Sequence, residues 1–508
     1  MRTQKSAKNM IAAFLSQAIL IILGFVSRKV MIDSVGVDYL GINGLMNNIL
    51  IILSLAESGI GAAILYALYK PLANNDIQEI KALMNFYKNT YRALAAFTTL
   101  AGLAILPFLK YLIKDNSVDN TLVIYLLFLF SSVSSYLFSY KVSINNADQN
   151  KYLYTIANTV TQVIVLILKI IILKVTNNYI LFLSVDIFST ITKNIIFSKI
   201  VDKKYPYLKE KNNIKLNVEI KKELIKNIKA LFVGKIGYII STSSDNLVIS
   251  SMINIKAVGL YSNYTTLTSS VYGFVSIFIN SISASVGNLV AKESEEKIYE
   301  IFNITSFINF WLYTFSFVCL YCLSDPFIAL WLGEEYILQK SVLFVIMLNF
   351  LLDGLLEPIG AVKNAAGIYY PDRYVPITSA IFNLVLSLIL VRHLGLTGVF
   401  LATIFSKIFF TFWINPMLVF KIVFKKSVLS YFIKIILKIV FIFIVTFICY
   451  SIGEYFCCEY NIINFIGRII ICLFIPNLLL LLLLSFNKDE FKYVVNIFKP
   501  FLKKLRIN

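Results

Sequence analysis

A chain of 508 residues that is 58% hydrophobic and only 15% charged, with a mean hydropathy of +0.77, is too apolar to stay dispersed as a soluble domain. Its net charge of +19 would suit a nucleic-acid binder, but that role needs a folded basic surface, and here the lysines and arginines collect in loops between apolar runs. The composition predicts an all-α integral membrane protein with no nucleic-acid partner and no soluble domain.

The basic start, MRTQKSAKNM, leads into an apolar run over 9–31 that carries Ser16 and Gln17 and lacks a small-residue cleavage site, so it reads as a retained span. A crossing helix needs about 20 apolar residues. Runs of that kind follow over 40–66, 84–109, 119–141, 152–174, 178–199, 228–252, 258–286, 299–323, 339–366, 374–392, 396–420, 431–452 and 462–486, which makes fourteen spans. Eight lysines between Lys203 and Lys226 crowd the loop after the sixth span; Lys421, Lys425, Lys426 and a basic tail agree with it in sign. By the positive-inside rule both termini are expected in the cytoplasm of a bacterial cell membrane. The tail over 487–508 spaces Phe491, Val494, Val495, Phe498 and Leu502 as one helical face, which suits an amphipathic helix lying on the inner leaflet.

Three landmarks occur twice in the same order. Lys8-Asn9 opens the first span and Lys226-Asn227 the seventh. Leu40-Gly41-Ile42 opens the second and Val258-Gly259-Leu260 the eighth. A short charged segment then follows in each half, Leu72 to Ile80 and Leu289 to Ile298. Six spans separate the copies, so both enter the membrane in the same direction, and parallel repeats imply a pseudo-two-fold axis along the membrane normal with a cavity between two bundles. The expected organisation is a six-helix bundle over 1–202, a basic cytoplasmic linker over 203–226, a second six-helix bundle over 227–426, two additional spans over 427–486 and the tail over 487–508.

An ionisable side chain at the centre of a span costs about 2.5–3.5 kcal/mol on insertion scales, so each needs a partner, a wet cavity or a function. Glu57, Asp186, Asp245, Asp353 and Glu357 are the acidic candidates for cation coupling or cavity charge; Lys235 and Lys407 are intramembrane cations. Asp353 and Glu357 are four apart on one helix face and Pro358 follows at once, an interruption of the kind transporters use near a site; the same acids could equally pair with Lys363 or Lys235 to hold the bundle together. Arg28 and Lys29 near the end of the first span could grip a phosphate or could be interfacial anchors. Lys434, Lys438 and Arg468 near span ends read as snorkelling side chains. The six cysteines lie without metal-ligand spacing, mostly inside apolar runs, and read as small packing residues. His393 is the only histidine, and no glycine loop precedes a Lys-Ser or Lys-Thr pair, so neither a histidine metal centre nor ATP hydrolysis is expected, and no cofactor.

The stretch from Gly36 to Asp76, GVDYLGINGLMNNILIILSLAESGIGAAILYALYKPLANND, together with SSDNLVISSMINIKAVGLYSNY (Ser243 to Tyr264), ASVGNLVAKES (Ala284 to Ser294), DPFIALWLGEEY (Asp325 to Tyr336) and the region from Asn364 to Ser406, resembles the Wzx-type polysaccharide flippases of the multidrug/oligosaccharidyl-lipid/polysaccharide exporter superfamily. The resemblance implies a transporter rather than an enzyme. Its implied task is moving a polyprenyl-diphosphate-linked oligosaccharide from the inner to the outer leaflet for capsule or exopolysaccharide assembly, in membrane lipid, beside a polysaccharide polymerase and glycosyltransferases. It raises Arg28 to the first choice for contacting pyrophosphate, and Lys29 and Lys235 stand beside it as candidate contacts to pyrophosphate or glycan; Glu357 departs from the basic residue such relatives more often carry before this proline. A drug/cation antiporter of the same superfamily and, further off, a membrane-embedded glycan polymerase are the competing expectations.

Overall fold

The computed structural model describes residues 2–57, 74–113, 118–147, 151–208, 243–290, 294–366 and 371–485, with short stretches inside 60–72 and 216–228 and residue 368. Lys235, part of the basic linker and the 487–508 tail lie outside the described residues. The helices are α1 (Arg2–Val35), α2 (Val37–Leu53), α3 (Ile77–Ile105), α4 (Thr121–Ala147), α5 (Lys151–Thr176), α6 (Tyr179–Lys204), α7 (Ile255–Val290), α8 (Glu295–Trp331), α9 (Lys340–Ala365), α10 (Val375–Ser406), α11 (Phe412–Val419), α12 (Leu429–Phe456) and α13 (Ile462–Ser485), and 243–252 is also helical. No strand occurs among the described residues. Eight helical stretches there are long and apolar enough to cross a bilayer, and Val37–Leu53 and Thr121–Tyr136 are shorter apolar helices. The expected all-α membrane fold is what the chain adopts.

Local chemistry sets the boundaries. Asp76 caps α3 by accepting from the Glu79 amide at 3.0 Å, Ser294 caps α8 by accepting from Lys297 N at 3.4 Å, and Asn178 caps α6 by accepting from Ile180 N and Leu181 N. The apolar helical stretch Val375–Phe424 has 50 residues, about 75 Å at the helical rise and far more than one crossing requires. Gly395, at φ +54, ψ −134, divides it, in the gap where the sequence ends one span at 392 and starts the next at 396.

The chain forms two compact units, Met1–Ser262 with Tyr374–Val399, and Asn263–Arg373 with Phe400–Asn508. In the first, α1 packs on α5, and α4 packs on α3 and α6. Tyr87, Tyr91 and Tyr136 are buried together there with Leu83 and Leu94. In the second unit, α8 is the central element, packing against α9, α12 and α13. A shell of rings from Phe302, Phe420, Phe424 and Tyr431 seals one end of it, with centroids 5.0–6.2 Å apart.

A close approach of two helices in the first unit joins the two glycines that open the paired sequence landmarks. A Cβ on Gly41 of α2 would lie 2.1 Å from the Ile255 carbonyl oxygen, and one on Gly259 of α7 would lie 2.4 Å from the Val37 carbonyl oxygen. The contact is reciprocal, since Ile255 precedes Gly259 by the same four residues by which Val37 precedes Gly41, as in a two-fold contact. Positions 41 and 259 differ by 218, and that spacing recurs. Arg28 donates to Ser262 Oγ while Asn246 Nδ2 donates to the Gly44 carbonyl at 3.3 Å; 28 pairs with 246 and 44 with 262 at the same interval. The helix caps Asp76 and Ser294 obey it. So do the left-handed positions Asn177 (φ 48) and Gly395 (φ 54).

Because neither glycine site has space for a side chain, Gly41→Leu and Gly259→Leu should each abolish a monodisperse, folded peak in detergent, overpacking by more than the usual 1–3 kcal/mol because the obstacle is backbone. Gly24→Ala, where a Cβ meets nothing within 4 Å, should leave the peak and the melting temperature unchanged; fluorescence-detected size exclusion compares the three. Equal behaviour of all three would contradict the crossing.

Candidate functional site

Polar side chains gather in two places, one in each unit. In the first unit the site is built on the α1–α2–α7 junction. Arg28, half-buried seven residues before the end of α1, reaches Ser262 Oγ, and Ser262 itself donates to the Gly259 carbonyl at 2.6 Å. On α2, Asn47 donates to Asn43 Oδ1 at 2.7 Å and Asn43 donates to the Tyr179 hydroxyl at 3.1 Å. Tyr179 packs on Tyr39 with ring centroids 4.9 Å apart. The glycines bring these chains together, because a junction without side chains lets the flanking polar groups on three helices meet at hydrogen-bonding distance. Lys29 stays exposed, with Asp33 one turn on at 3.9 Å.

The other expected acids of this unit go to different surroundings. Asp186 of α6 forms an ion pair with Lys169 of α5, whose ammonium also lies 4.1 Å from the centroid of the Phe182 ring. Glu57, in the short 3-10 turn Ser54–Glu57 after α2, accepts from the Tyr91 hydroxyl at 3.2 Å. Asp245 is half-buried beside the buried Ser244 and Asn246. Lys141 and Asp202 form a further pair at 2.7 Å, bridging α4 and α6.

In the second unit the site is a stripe on α9 at positions 349, 353 and 357, one per turn. Lys407 bonds Asp353 at 2.8 Å and Asn349 Oδ1 at 3.1 Å, while Asn349 Nδ2 donates to the Phe400 carbonyl at 3.0 Å. Lys407 opens a π-helical turn, Lys407–Thr411, a local widening that often accompanies functional sites. Glu357 lies against the phenols of Tyr313 and Tyr272. Lys363, weighed from sequence as a partner for these acids, instead pairs with the buried Asp372 and donates to Asn415 Oδ1 at 3.1 Å. Its place beside Asp353 is taken by Lys407, on the π-helical turn that leads into α11.

Pro358 does not break α9, which runs on to Ala365. The ring removes the amide that would bond the carbonyl four residues earlier, which is that of Gly354. Asn309 of α8 supplies the missing donor, its Nδ2 2.8 Å from Gly354 O. Gly354 is also where the Tyr313 ring seats, 2.0 Å from where a Cβ would stand. The expectation of an interrupted helix is thereby corrected to a continuous one with a substituted hydrogen bond.

Three features escaped sequence reading. Asp325, 1% exposed inside α8, accepts from Tyr264 at 2.6 Å and from Lys340 at 2.7 Å, and Tyr264 Oη in turn accepts from Leu338 N. Lys169 was hidden within an apolar run, although a lone lysine there predicts an acid on the neighbouring helix. Arg468 is not a snorkelling anchor but is 3% exposed, donating twice to the Cys457 carbonyl and to Glu454 Oε1 at 3.0 Å, so that it closes the C-terminal end of α12. Cys322, Cys449 and Cys472 are free thiols buried against Val318 and Val445, packed as the sequence suggested.

No family model and no curated protein matches the chain. Among solved structures it is similar to the lipid II flippase MurJ in an inward closed conformation, with a TM-score of 0.65 at 16% identity over 94% of this chain and 99% of that one. It is also similar to a point mutant of the Vibrio cholerae MATE transporter VcmN, with a TM-score of 0.57 at 14% identity over 84% and 99%. A third match is an inward-facing multidrug resistance MATE family transporter of the MOP superfamily, TM-score 0.55 at 14% identity over 80% and 97%. At these identities the likeness is one of fold: the chain has the fold of these membrane transporters.

Replacing Asn309 by Leu removes the donor at Gly354 O without changing the size of the side chain much, and an unpaired buried carbonyl costs about 1–3 kcal/mol. A lowered melting temperature in detergent is expected for Asn309→Leu, with Asn309→Asp also impaired because a carboxylate cannot donate. A melting temperature equal to wild type for both would show that the bond is dispensable.

Proposed function

We propose that this protein is a flippase that carries polyprenyl-diphosphate-linked oligosaccharide repeat units from the inner to the outer leaflet by alternating access, for capsule, exopolysaccharide or another cell-surface polysaccharide. The reading draws on the fold shared with a lipid II flippase over 94% of the chain and on the sequence resemblance to polysaccharide flippases. Parallel repeats over 1–202 and 227–426, with two further helices over 427–486 and cytoplasmic termini, form the frame we assign to it.

The observation that carries the reading is the charge asymmetry at the glycine crossing. Arg28 and Asn246 occupy corresponding places 218 residues apart, each donating across the junction, yet only one bears a charge. A scaffold contact would be served by either side chain. A guanidinium retained at one of two matching places is suited to an anion, and its planar fork of donors binds phosphate oxygens two at a time. We assign Arg28 the pyrophosphate, with Lys29 and Lys235 as further contacts to pyrophosphate or glycan. The oligosaccharide cannot cross hydrocarbon unaided because its hydroxyls would lose their bonds to water, whereas the lipid tail never has to leave the bilayer.

Glu57, which accepts from the Tyr91 hydroxyl, and Glu357, which lies against Tyr313 and Tyr272, are with Asp186, Asp245 and Asp353 the acids we assign to cation coupling or cavity charge. An inside-negative potential would drive an outward-moving pyrophosphate by about 2.3 kcal/mol per charge per 100 mV. The fold shared with MATE transporters favours a second reading, export of cationic drugs by antiport. It expects drug sensitivity on gene deletion, not trapped glycolipid.

Deleting the gene should leave lipid-linked repeat units on the cytoplasmic leaflet, and Arg28→Ala should restore export poorly, by roughly 10–100-fold, the loss of a charged hydrogen bond of about 1.5–3 kcal/mol. Asn246→Ala should restore it nearly fully. No accumulation in the deletion strain would overturn the flippase reading, and equal behaviour of the two alanine variants would remove Arg28 from it.

A further inference from the structure

The second unit contains a groove between α8 and α12 that none of the roles above uses. It is a cavity of about 410 Å³, floored by Phe310, Phe441 and Leu483 and edged by Ser306, Lys434 and Lys438. That volume falls within the range of small-ligand sites. The two lysines are four apart on α12, so they project from one face. Lys434 is exposed at the rim; Lys438 is half-buried, its ammonium 5.2 Å from the centroid of the Phe310 ring and 3.5 Å from the Ser306 carbonyl. Among the described residues no acidic side chain lines the groove; both lysines stand at the edge of an aromatic and aliphatic floor, with Asn303 and Asn309 also in the lining.

From this arrangement we infer that the groove binds one anionic glycerophospholipid of the surrounding bilayer, its phosphate held between Lys434 and Lys438 and an acyl chain laid against Phe310 and Phe441. A soluble anion would leave the aromatic floor uncovered, and a zwitterionic headgroup brings its own cation to the lysines. A lipid with net negative charge satisfies both parts of the groove.

The 218-residue correspondence supports headgroup depth for the lysines. Counting from the matched caps Asp76 and Ser294, Ser306 and Phe310 on α8 stand where α3 has Lys88 and Arg92. Basic side chains at those places of a spanning helix are interfacial anchors. The second copy has neutral residues there, and α12 supplies the cations instead, across the groove. The hairpin of α12 and α13 thus restores a basic belt that α8 lacks, with a cavity left between cations and helix.

The inference does not depend on the transport reading, because its test measures lipid retention and no transport. The full-length protein in detergent is mixed with equal amounts of phosphatidylglycerol and phosphatidylcholine, and bound lipids are counted by native mass spectrometry. Wild type should retain phosphatidylglycerol at least fivefold over phosphatidylcholine. Lys434→Gln/Lys438→Gln should fall to near parity, whereas Lys434→Arg/Lys438→Arg should keep the preference. Ser306→Trp, which fills the groove and leaves both cations, should also lose it. Size-exclusion profiles report whether each variant is folded, and the arginine variant keeps the comparison interpretable if one is not. Preference undiminished in the glutamine or tryptophan variant would overturn the site. Farnesyl diphosphate added in parallel distinguishes a second source of phosphate: displacement of phosphatidylglycerol by an equal concentration of it, lost in the glutamine variant, would reassign the groove to a polyprenyl diphosphate and refute the phospholipid.

Discussion

The contact on which the first unit depends is made of backbone alone. Helices in hydrocarbon gain nothing from hiding apolar surface from each other, since lipid tails are as apolar as leucine, so they associate through close van der Waals packing and through polar groups. At Gly41 and Gly259 both are available. The missing side chains bring α2 and α7 within reach of each other's carbonyl oxygens, and the Arg28 and Asn246 bonds flank the crossing on either side. Remove the proximity and the polar donors no longer reach. The geometry that holds the helices is thus the same geometry that places a guanidinium inside an apolar junction.

Charge elsewhere is treated in two ways. Lys169 with Asp186, Lys141 with Asp202, Lys363 with Asp372 and Lys407 with Asp353 are matched in opposite sign. At the buried Lys363–Asp372 pair, desolvation offsets most of the attraction, but removing one partner strands the other at a cost of about 3–5 kcal/mol. The Asp353 side chain is largely exposed, and its pair with Lys407 is worth far less. All four fix which elements are neighbours. Arg28 donates to Ser262, Glu57 accepts from Tyr91 and Glu357 lies against Tyr313 and Tyr272, so each of these has a hydroxyl group in its surroundings.

Much of the architecture was legible because bilayer thickness dictates helix length: the apolar runs found the helices, and a three-residue gap ending at Gly395 found the division in a 50-residue helical stretch. Gly41 and Gly259 stood out as landmarks, yet their contact is a fact of the fold that a separation of 218 residues along the chain conceals. Partner choice was the least legible part. Asp353 and Lys363 are ten apart and looked like partners, but an ion pair depends on which helix flanks each turn, a long-range fact that spacing within one helix does not hold. Asp325 escaped notice for a related reason, since its burial is set by Tyr264 and Lys340 on other elements. Arg468 looked like an interfacial anchor until the end of α12 supplied it with carbonyl acceptors.

The amide of Asn309 on Gly354 gives α9 a joint of an unusual kind. In an ordinary helix, bending at one turn means stretching a rung that the helix supplies to itself. Here the rung at Pro358 is lent by another helix, so α9 can pivot there by releasing one side chain and without unravelling its own spiral. Bending α9 at this turn therefore requires a side chain of α8 to release its carbonyl, at the notch where the Tyr313 ring seats against Gly354. A molecule that reshapes itself during a cycle would have in this turn a place to flex that leaves both cylinders intact.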